Sequence, residues 1–165
     1  MGTTTKLRQA LKTEVFPLLT DRGFAIDQRH APHFVDFRRS RGDRVDFIEF
    51  QWEKYGRPRF KLSFGTVSAG GTVANGLHTL AQDIGPGQAP RYVCLYPRGT
   101  GSSTRHWFCQ DAPLWARLFG GPPRPAGQVT AELTALLPEV DDYLLHGRLG
   151  PHCFDRPNPP FEDVP

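Results

Sequence analysis

Three runs of alternating apolar and polar residues follow one another in the first half of the chain. They are HFVDFRR at 33–39, RVDFIEFQW at 44–52 and PRFKLSFGT at 58–66. Alternation with a period of two is typical of strands that bury one face. Short polar turns separate the runs, SRGD at 40–43 and YGRP at 55–58. The pattern therefore predicts an antiparallel meander.

Two further segments have the helical period and predict helices near the two ends of the chain. In the first, from Thr4 to Asp21, the apolar stripe is Leu7, Leu11, Val15 and Leu18. In the second it is Val129, Leu133, Leu136, Val140 and Leu144, with a kink expected at Pro138. Pro17 is expected to kink the first helix or to begin its last turn, and Gly23 to end it. Such stripes predict helices that lie on a sheet.

The predicted strands divide their side chains between two faces. The apolar rows expected under the helices are Ile48, Phe50 and Trp52 on one strand and Phe60, Leu62 and Phe64 on the next. The opposite face is expected to carry Asp46, Glu49 or Gln51, with Lys61 and Ser63 beside them, and Phe47 breaks the pattern. If that face is open, function is expected there.

The remaining segments have weaker patterns. We expect strands at 24–29, 91–96 and 105–109, a short helix at 113–119, and a long loop at 65–90 with one helical turn near 77–82. The fold class is therefore α+β, with an antiparallel meander sheet of four to six strands covered on one face by the N- and C-terminal helices. Residues 1–154 are predicted to form a single domain, and 155–165 a Pro-rich tail without regular structure.

Composition narrows the class of protein. The chain has 165 residues, of which 38% are apolar and 22% charged, as in soluble globular proteins. It has no apolar run of the roughly 18 residues that a membrane helix needs. The N-terminal sequence lacks the apolar core of a secretion signal, so we expect a cytoplasmic protein. Cys94, Cys109 and Cys153 form no C-x-x-C motif and predict free thiols, and no cofactor is predicted.

Basic residues are concentrated in the meander. Nine Lys or Arg residues stand against five acidic ones between Arg29 and Lys61. Arg38, Arg39, Arg41 and Arg44 are the candidate binding residues, since a basic sheet face with interleaved aromatic rings could follow a phosphate backbone. The alternative is that these charges keep strand edges and hairpin tips soluble.

The order of elements resembles the bacterial domain-of-unknown-function family 4304. The residues that carry the resemblance are LRQALKTEVFPLLTDRGF at 7–24, FIEFQWEKYG at 47–56, RFKLSFG at 59–65, Trp115 in APLWARLF, and the helix at 129–145. It covers most of the chain through aromatic and structural motifs. The resemblance implies an α+β domain of no established activity, and it brings no catalytic residues with it.

One arrangement of polar residues suggests an enzyme. Asp36 on the second strand, with Glu49 and Gln51 on the third, echoes the D…E-x-K arrangement of PD-(D/E)xK nucleases. Two carboxylates on neighbouring strands could hold Mg²⁺ while a lysine orients the attacking water. Gln51 stands where that lysine belongs, so Lys61 would have to replace it from the next strand.

Other candidate chemistry is weaker. His30 and His33 form a close pair, and His146, His152 and Cys153 form another group, but neither has a full set of zinc ligands. Cys109 is a possible thiol nucleophile if His106 lies beside it. We therefore predict no metal site and no catalytic residue outside the nuclease hypothesis.

Two functional hypotheses remain. The first is a non-enzymatic binding or interaction module, a monomer or homodimer, that contacts a protein partner through the exposed sheet face or the 65–90 segment. The alternative is a metal-dependent nuclease-like or nucleic-acid-binding protein that uses the sheet face around Asp36 and Glu49.

Overall fold

The fold is an antiparallel sheet with helices packed on one of its faces. The structure, a computed structural model, describes residues 2–27, 33–98, 106–110, 119 and 121–165. The strands in these residues are Ala25–Asp27 (β1), Phe34–Arg41 (β2), Arg44–Trp52 (β3), Arg59–Ser68 (β4), Thr72–Ala74 (β5), Leu77–Thr79 (β6), Arg91–Leu95 (β7), Phe108–Cys109 (β8), Cys153–Pro157 (β9) and Glu162–Asp163 (β10). The main sheet has the order β1-β2-β3-β4-β7-β9, with β8 also paired to β4. The predicted α+β architecture is confirmed.

Two helical segments form the second layer. The N-terminal one consists of α1 (Thr3–Ala10), a π-helical turn (Leu11–Val15) and α2 (Phe16–Asp21), and the C-terminal helix is α3 (Ala126–His146). An ion pair of 2.8 Å between Arg22 and Asp141 joins them. Within the described ranges, none of the helices has the length and apolar character that a membrane span needs.

The apolar stripe of the N-terminal segment changes register at the π-helical turn. The predicted stripe residues up to Val15 are buried, but beyond it Phe16 and Leu19 are buried and Leu18 is half-buried. A π turn takes in an extra residue, so the buried face moves along the sequence. Pro17 lies in the first turn of α2, where the missing N–H donor costs little.

Gly23 ends the N-terminal segment, as predicted. Its φ of 84° lies in the left-handed region, which glycine adopts without strain. The Gly23 amide donates to the Thr20 carbonyl at 2.9 Å, and the Phe24 amide donates to the Leu19 carbonyl at 3.1 Å. This satisfies two carbonyl groups of the last turn and directs the chain into β1.

The predicted core rows are confirmed. Strands β3 and β4 place them opposite one another, and the cross-strand pairs are Ile48–Phe64, Phe50–Leu62 and Trp52–Phe60. All six side chains belong to the core under the helices. Phe16 of α2 contacts Phe50 edge-on, with ring centres 5.4 Å apart. Since burial of one large apolar side chain contributes about 1.5–3 kcal/mol, these rows supply much of the stability.

The 65–90 segment is not the long loop that was predicted. β4 runs on to Ser68, β5 and β6 form a hairpin, and the helical turn is at Ala81–Asp83 instead of 77–82. Strands of three residues are too short to show a period, which is why the sequence pattern missed them. The segment covers Phe47, which packs with Val67 and Ile84 in a small second core. The break in alternation at Phe47 therefore marks a second buried surface.

The tail prediction was wrong in part. β9 contains Asp155, Arg156 and Pro157 of the predicted irregular tail and pairs with β7 at the edge of the main sheet. β10 pairs with β5 in the smaller sheet. An edge strand tolerates proline because one side of it makes no ladder hydrogen bonds. The predicted helix at 113–119 with Trp115, and the turn with Arg29 and His30, lie outside the described residues apart from Phe119.

A buried aspartate joins the two layers. Asp46 was expected on the face opposite the helices, but strand alternation places it with Ile48, and it is fully buried. Its Oδ2 atom lies 2.7 Å from Arg39 and 3.3 Å from Arg41. Arg39 also donates to the carbonyl of Arg22 at 2.9 Å, and Arg41 to that of Leu144 at 2.6 Å. Both arginines therefore connect Asp46 to the C-terminal end of a helical segment.

Replacement of Asp46 should destabilise the folded protein. Asp46→Asn keeps the side-chain shape but leaves two arginines without their carboxylate, so we expect a loss of about 3 kcal/mol in the free energy of unfolding, measured by urea denaturation. Asp43→Asn, at the exposed hairpin tip, is the control and should change it by less than about 0.5 kcal/mol. Equal effects of the two variants would show that Asp46 does not join the layers.

Candidate functional site

The face of the main sheet opposite the helices, which we call the back face, contains a polar pocket. This back-face pocket has a volume of about 270 Å³. Its lining residues are Glu49, Gln51, Lys61, Leu62, Ser63, Pro86, Tyr92, Cys94, Tyr96, His106 and Arg156. The structure thus brings together Glu49, Gln51 and Lys61, which the sequence singled out. Asp36 lies next to Glu49 on the neighbouring strand.

Strand register positions most of the pocket residues. Side chains of one strand alternate between faces, and directly paired residues share a face. The cross-strand pairs that contribute to the pocket are Gln51–Lys61, Glu49–Ser63, Ser63–Cys94 and Tyr92–Arg156. The pocket wall is therefore built on four hydrogen-bonded strands, and the side chains start from fixed positions.

Glu49 contributes a carboxylate to the pocket, and its proton affinity is perturbed. Burial and, to a smaller extent, the nearby charge of Asp36 together raise its pKa from 4.5 to about 7. Arg38 acts in the opposite direction but does not offset these two causes. Near neutral pH the carboxyl group is therefore protonated in part of the molecules. It can then donate a hydrogen bond as well as accept one.

Cations and aromatic rings alternate around the pocket. The Nζ atom of Lys61 and the guanidinium of Arg59 each lie 4.6 Å from the centre of the Trp107 ring. Burial lowers the pKa of Lys61, and the neighbouring charges of Arg156 and Arg59 lower it further. Arg156 lies over the Phe154 ring at 4.6 Å. These contacts hold the cations in place beside the pocket.

Residues 85–90 form a roof over one side of the back-face pocket. Gly85 lies above Glu49, and a Cβ atom there would be 3.4 Å from its Oε2 atom. The amide of Asn158 in the C-terminal tail donates to the carbonyls of Gly87 at 3.1 Å and Ala89 at 3.0 Å. The Thr72 hydroxyl donates to the carbonyl of Gln88 at 3.0 Å. The tail therefore holds the roof in position.

The four arginines predicted to bind a partner do not form one patch. Arg38 lies on the back face and pairs with Asp27 at 3.1 Å. Arg39 and Arg41 lie on the helix face and pair with Asp46. Arg44 is exposed at the hairpin tip. Three of the four thus have structural roles, and contact with a partner through any of them stays a prediction.

The thiol and histidine candidates are also placed. In the described ranges, no group of three or more His, Cys, Asp or Glu side chains is arranged to hold a metal ion. His152 Nδ1 lies 2.6 Å from Glu139 Oε1. Burial raises the pKa of Cys153 to about 11, so this thiol is a poor nucleophile. The thiol of Cys94 lies 3.6 Å from the Ser63 hydroxyl, and none of the three cysteines, all in the described ranges, forms a disulfide.

Several pocket residues were not predicted from the sequence. Tyr92, Tyr96, His106 and Arg156 come from segments far from the meander along the chain. The available signals were the patterns at 91–96 and 105–109, which predicted strands but not their pairing. Arg156 could not be found this way because the tail was expected to be irregular.

A larger groove lies between the N-terminal helical segment and the strand edge. It has a volume of about 670 Å³, and its wall includes Phe16, Ile26 and Val35. Among the described residues, none that lines this groove also lines the back-face pocket. Because it brings Glu49, Lys61 and Arg156 together, the back-face pocket is the stronger candidate for a functional site.

No family model, curated protein or solved structure matches the chain. The resemblance to domain-of-unknown-function family 4304 stays a prediction. The function of the chain is therefore inferred from the geometry of the pocket.

Glu49 should make stability depend on pH. Because its folded pKa of about 7 exceeds the ordinary value of 4.5, the folded state binds the proton more tightly, and stability falls as pH rises through this window. Glu49→Gln removes the free-energy cost of ionising the buried carboxyl group. Relative to the wild type, the variant should gain up to about 3 kcal/mol between pH 4 and pH 8, measured by urea denaturation. Exposed Glu162→Gln is the control, and a flat difference for Glu49→Gln would contradict the shift.

Proposed function

We propose that this protein is a non-enzymatic binding module and that the back-face pocket is its ligand site. The observation that carries the proposal is the convergence of Glu49, Lys61, Arg156 and two tyrosines on one cavity outside the helix layer. Convergent polar groups with perturbed proton affinities are typical of binding sites. We further propose that the protein is cytoplasmic and a monomer or homodimer.

The size of the pocket limits the ligand. A volume of about 270 Å³ is slightly below the range of about 300–1,000 Å³ of drug-sized sites. A small polar molecule fits this volume, and so does a single side chain of a partner protein. If the ligand is a protein partner, as the sequence predicted, we propose that one of its side chains enters the pocket.

The pocket is suited to binding because its walls are fixed before a ligand arrives. The floor lies on paired strands, and the roof is held by hydrogen bonds from Thr72 and Asn158. A site that needs little ordering loses less free energy when it binds.

A pocket-filling variant tests this function. We expect polar fragments, added at millimolar concentration, to shift the amide NMR signals of the strands around Gln51 and Ser63. Gln51→Trp should abolish these shifts because its ring occupies the pocket. Gln128→Trp, on the exposed surface of α3, introduces the same ring elsewhere and should retain them. Fragments that never shift the pocket amides, or that bind Gln51→Trp equally well, would exclude the pocket as the ligand site.

One observation favours the nuclease-like alternative. Asp36 and Glu49 are cross-strand partners, and the negative charge of Asp36 opposes ionisation of Glu49. A bound Mg²⁺ would relieve this repulsion, and Mg²⁺ is commonly held by one or two carboxylates together with substrate phosphates. In this alternative Gln51 contacts substrate and Lys61 orients the water.

Metal titration separates the two functions. The alternative predicts that Mg²⁺ or Mn²⁺ with a short oligonucleotide raises the melting temperature and that the oligonucleotide is cleaved. Asp36→Asn and Glu49→Gln should remove both effects, whereas Asp43→Asn at the hairpin tip should keep them. Unchanged melting and an intact oligonucleotide would leave the non-enzymatic binding module.

A further inference from the structure

The cations of the back-face pocket differ from the arginines of β2 in their ion-pair partners. Arg38, Arg39 and Arg41 each pair with a carboxylate. Lys61 and Arg156 line the pocket, and among the described residues neither has a carboxylate within ion-pair distance. A cation that faces a cavity without a counterion attracts an anion from solution.

The acidic group of the pocket does not neutralise these cations. Among the described residues that line the cavity, Glu49 is the only one with a carboxylate. Burial and the neighbouring Asp36 keep its pKa near 7, so it is only partly ionised at neutral pH. Its protonated form can donate a hydrogen bond to an anion. The charge balance of the described lining residues is therefore positive.

Arg156 is held in a fixed orientation. Its Nη2 atom donates to the Tyr96 hydroxyl at 3.3 Å while its guanidinium lies over Phe154. Tyr96 is itself buried and stacks on Phe154 with ring centres 5.4 Å apart. An arginine fixed in this way presents its remaining N–H donors as a planar fork, which suits the oxygen atoms of an oxyanion.

Lys61 is fixed by a different contact. Its ammonium group lies against the Trp107 ring, which the Arg59 guanidinium also contacts. Arg59 pairs with Glu53 at 3.6 Å, but Lys61 makes no such pair within the described residues. Burial lowers the pKa of Lys61, and repulsion from Arg156 and Arg59 lowers it further. An anion between these groups would relieve the repulsion.

We infer that the back-face pocket binds the anionic group of its ligand, a phosphate or a carboxylate, through Lys61 and Arg156. This inference rests on the proposed function and adds the charge of the ligand. The ligand is a small organic anion whose oxyanion group enters the cavity. Both groups offer oxygen acceptors to the same two cations, so the two are distinguished by experiment.

Matched probes test the charge of the ligand. Adenosine monophosphate is compared with adenosine, and benzoate with benzyl alcohol, by titration followed through the amide NMR signals of the pocket strands. At least one anion should bind about tenfold or more tightly than its neutral counterpart, because hydrogen bonds to charged groups are the stronger ones. The pair with the larger ratio identifies phosphate or carboxylate. Binding of that anion should weaken as salt is added.

Variants test the two cations. Lys61→Met and Arg156→Met should each weaken binding of the preferred anion by about tenfold and leave the neutral probe unchanged. Arg156→Lys keeps the charge but not the planar fork and should have an intermediate effect. Lys54→Met, on an exposed turn, is the control and should bind as the wild type does. Circular dichroism and the amide spectrum verify that each variant is folded.

The outcomes separate the inference from the proposed function. Neutral probes that bind in the pocket as tightly as the anions would overturn the inference and leave the binding module. Anion binding that survives both Lys61→Met and Arg156→Met would also overturn it. If neither these probes nor the fragments shift the pocket amides, both the inference and the proposed function are wrong.

Discussion

A fully buried aspartate determines how the two layers of this fold meet. Removal of a carboxylate from water costs several kcal/mol unless it is paired, so Arg39 and Arg41 have to reach Asp46 beneath the helices. Each arginine also donates to a carbonyl at the C-terminal end of a helical segment, at Arg22 and at Leu144. Helix C-termini carry partial negative charge and favour such cations. One buried anion thus fixes where both helical segments end over the sheet.

Because the helices occupy one face, other parts of the chain have to cover the opposite face. The 65–90 segment covers its apolar half, where Phe47 and Val67 pack against Ile84. The polar half is only partly covered, since the roof passes over Glu49 and is held there by Asn158 of the tail. The pocket is therefore the part of the sheet that neither the helices nor the roof fills. Its position follows from the same division of faces that buries Asp46.

The sequence predicted what depends on local pattern and missed what depends on distant pairing. Alternation within 33–66 was long enough to identify the meander and its core rows. The expectation that Asp46 lies on the opposite face was wrong, since alternation places it with Ile48, and only tertiary contacts supply the partners that allow its burial. The alternation missed the strands of 65–90 because each is three residues long. Arg156 joins the pocket only through pairing of β9 with β7, and no local pattern reports that contact.

Asp46 and Glu49 lie on the same strand, but one carboxylate stabilises the fold and the other lines the pocket. Asp46 is paired with two cations that also bond to the backbone, so its burial is compensated. The pKa of Glu49 rises to about 7 because burial and Asp36 outweigh Arg38. A glutamine would have nearly the same shape without this penalty. At neutral pH and above, the buried Glu49 carboxylate opposes folding, and such local conflicts are typical of functional sites. The proposed anionic ligand would supply the charge that Lys61 and Arg156 lack, which is why the back-face pocket, and not the arginine-rich hairpin, is the better candidate for function.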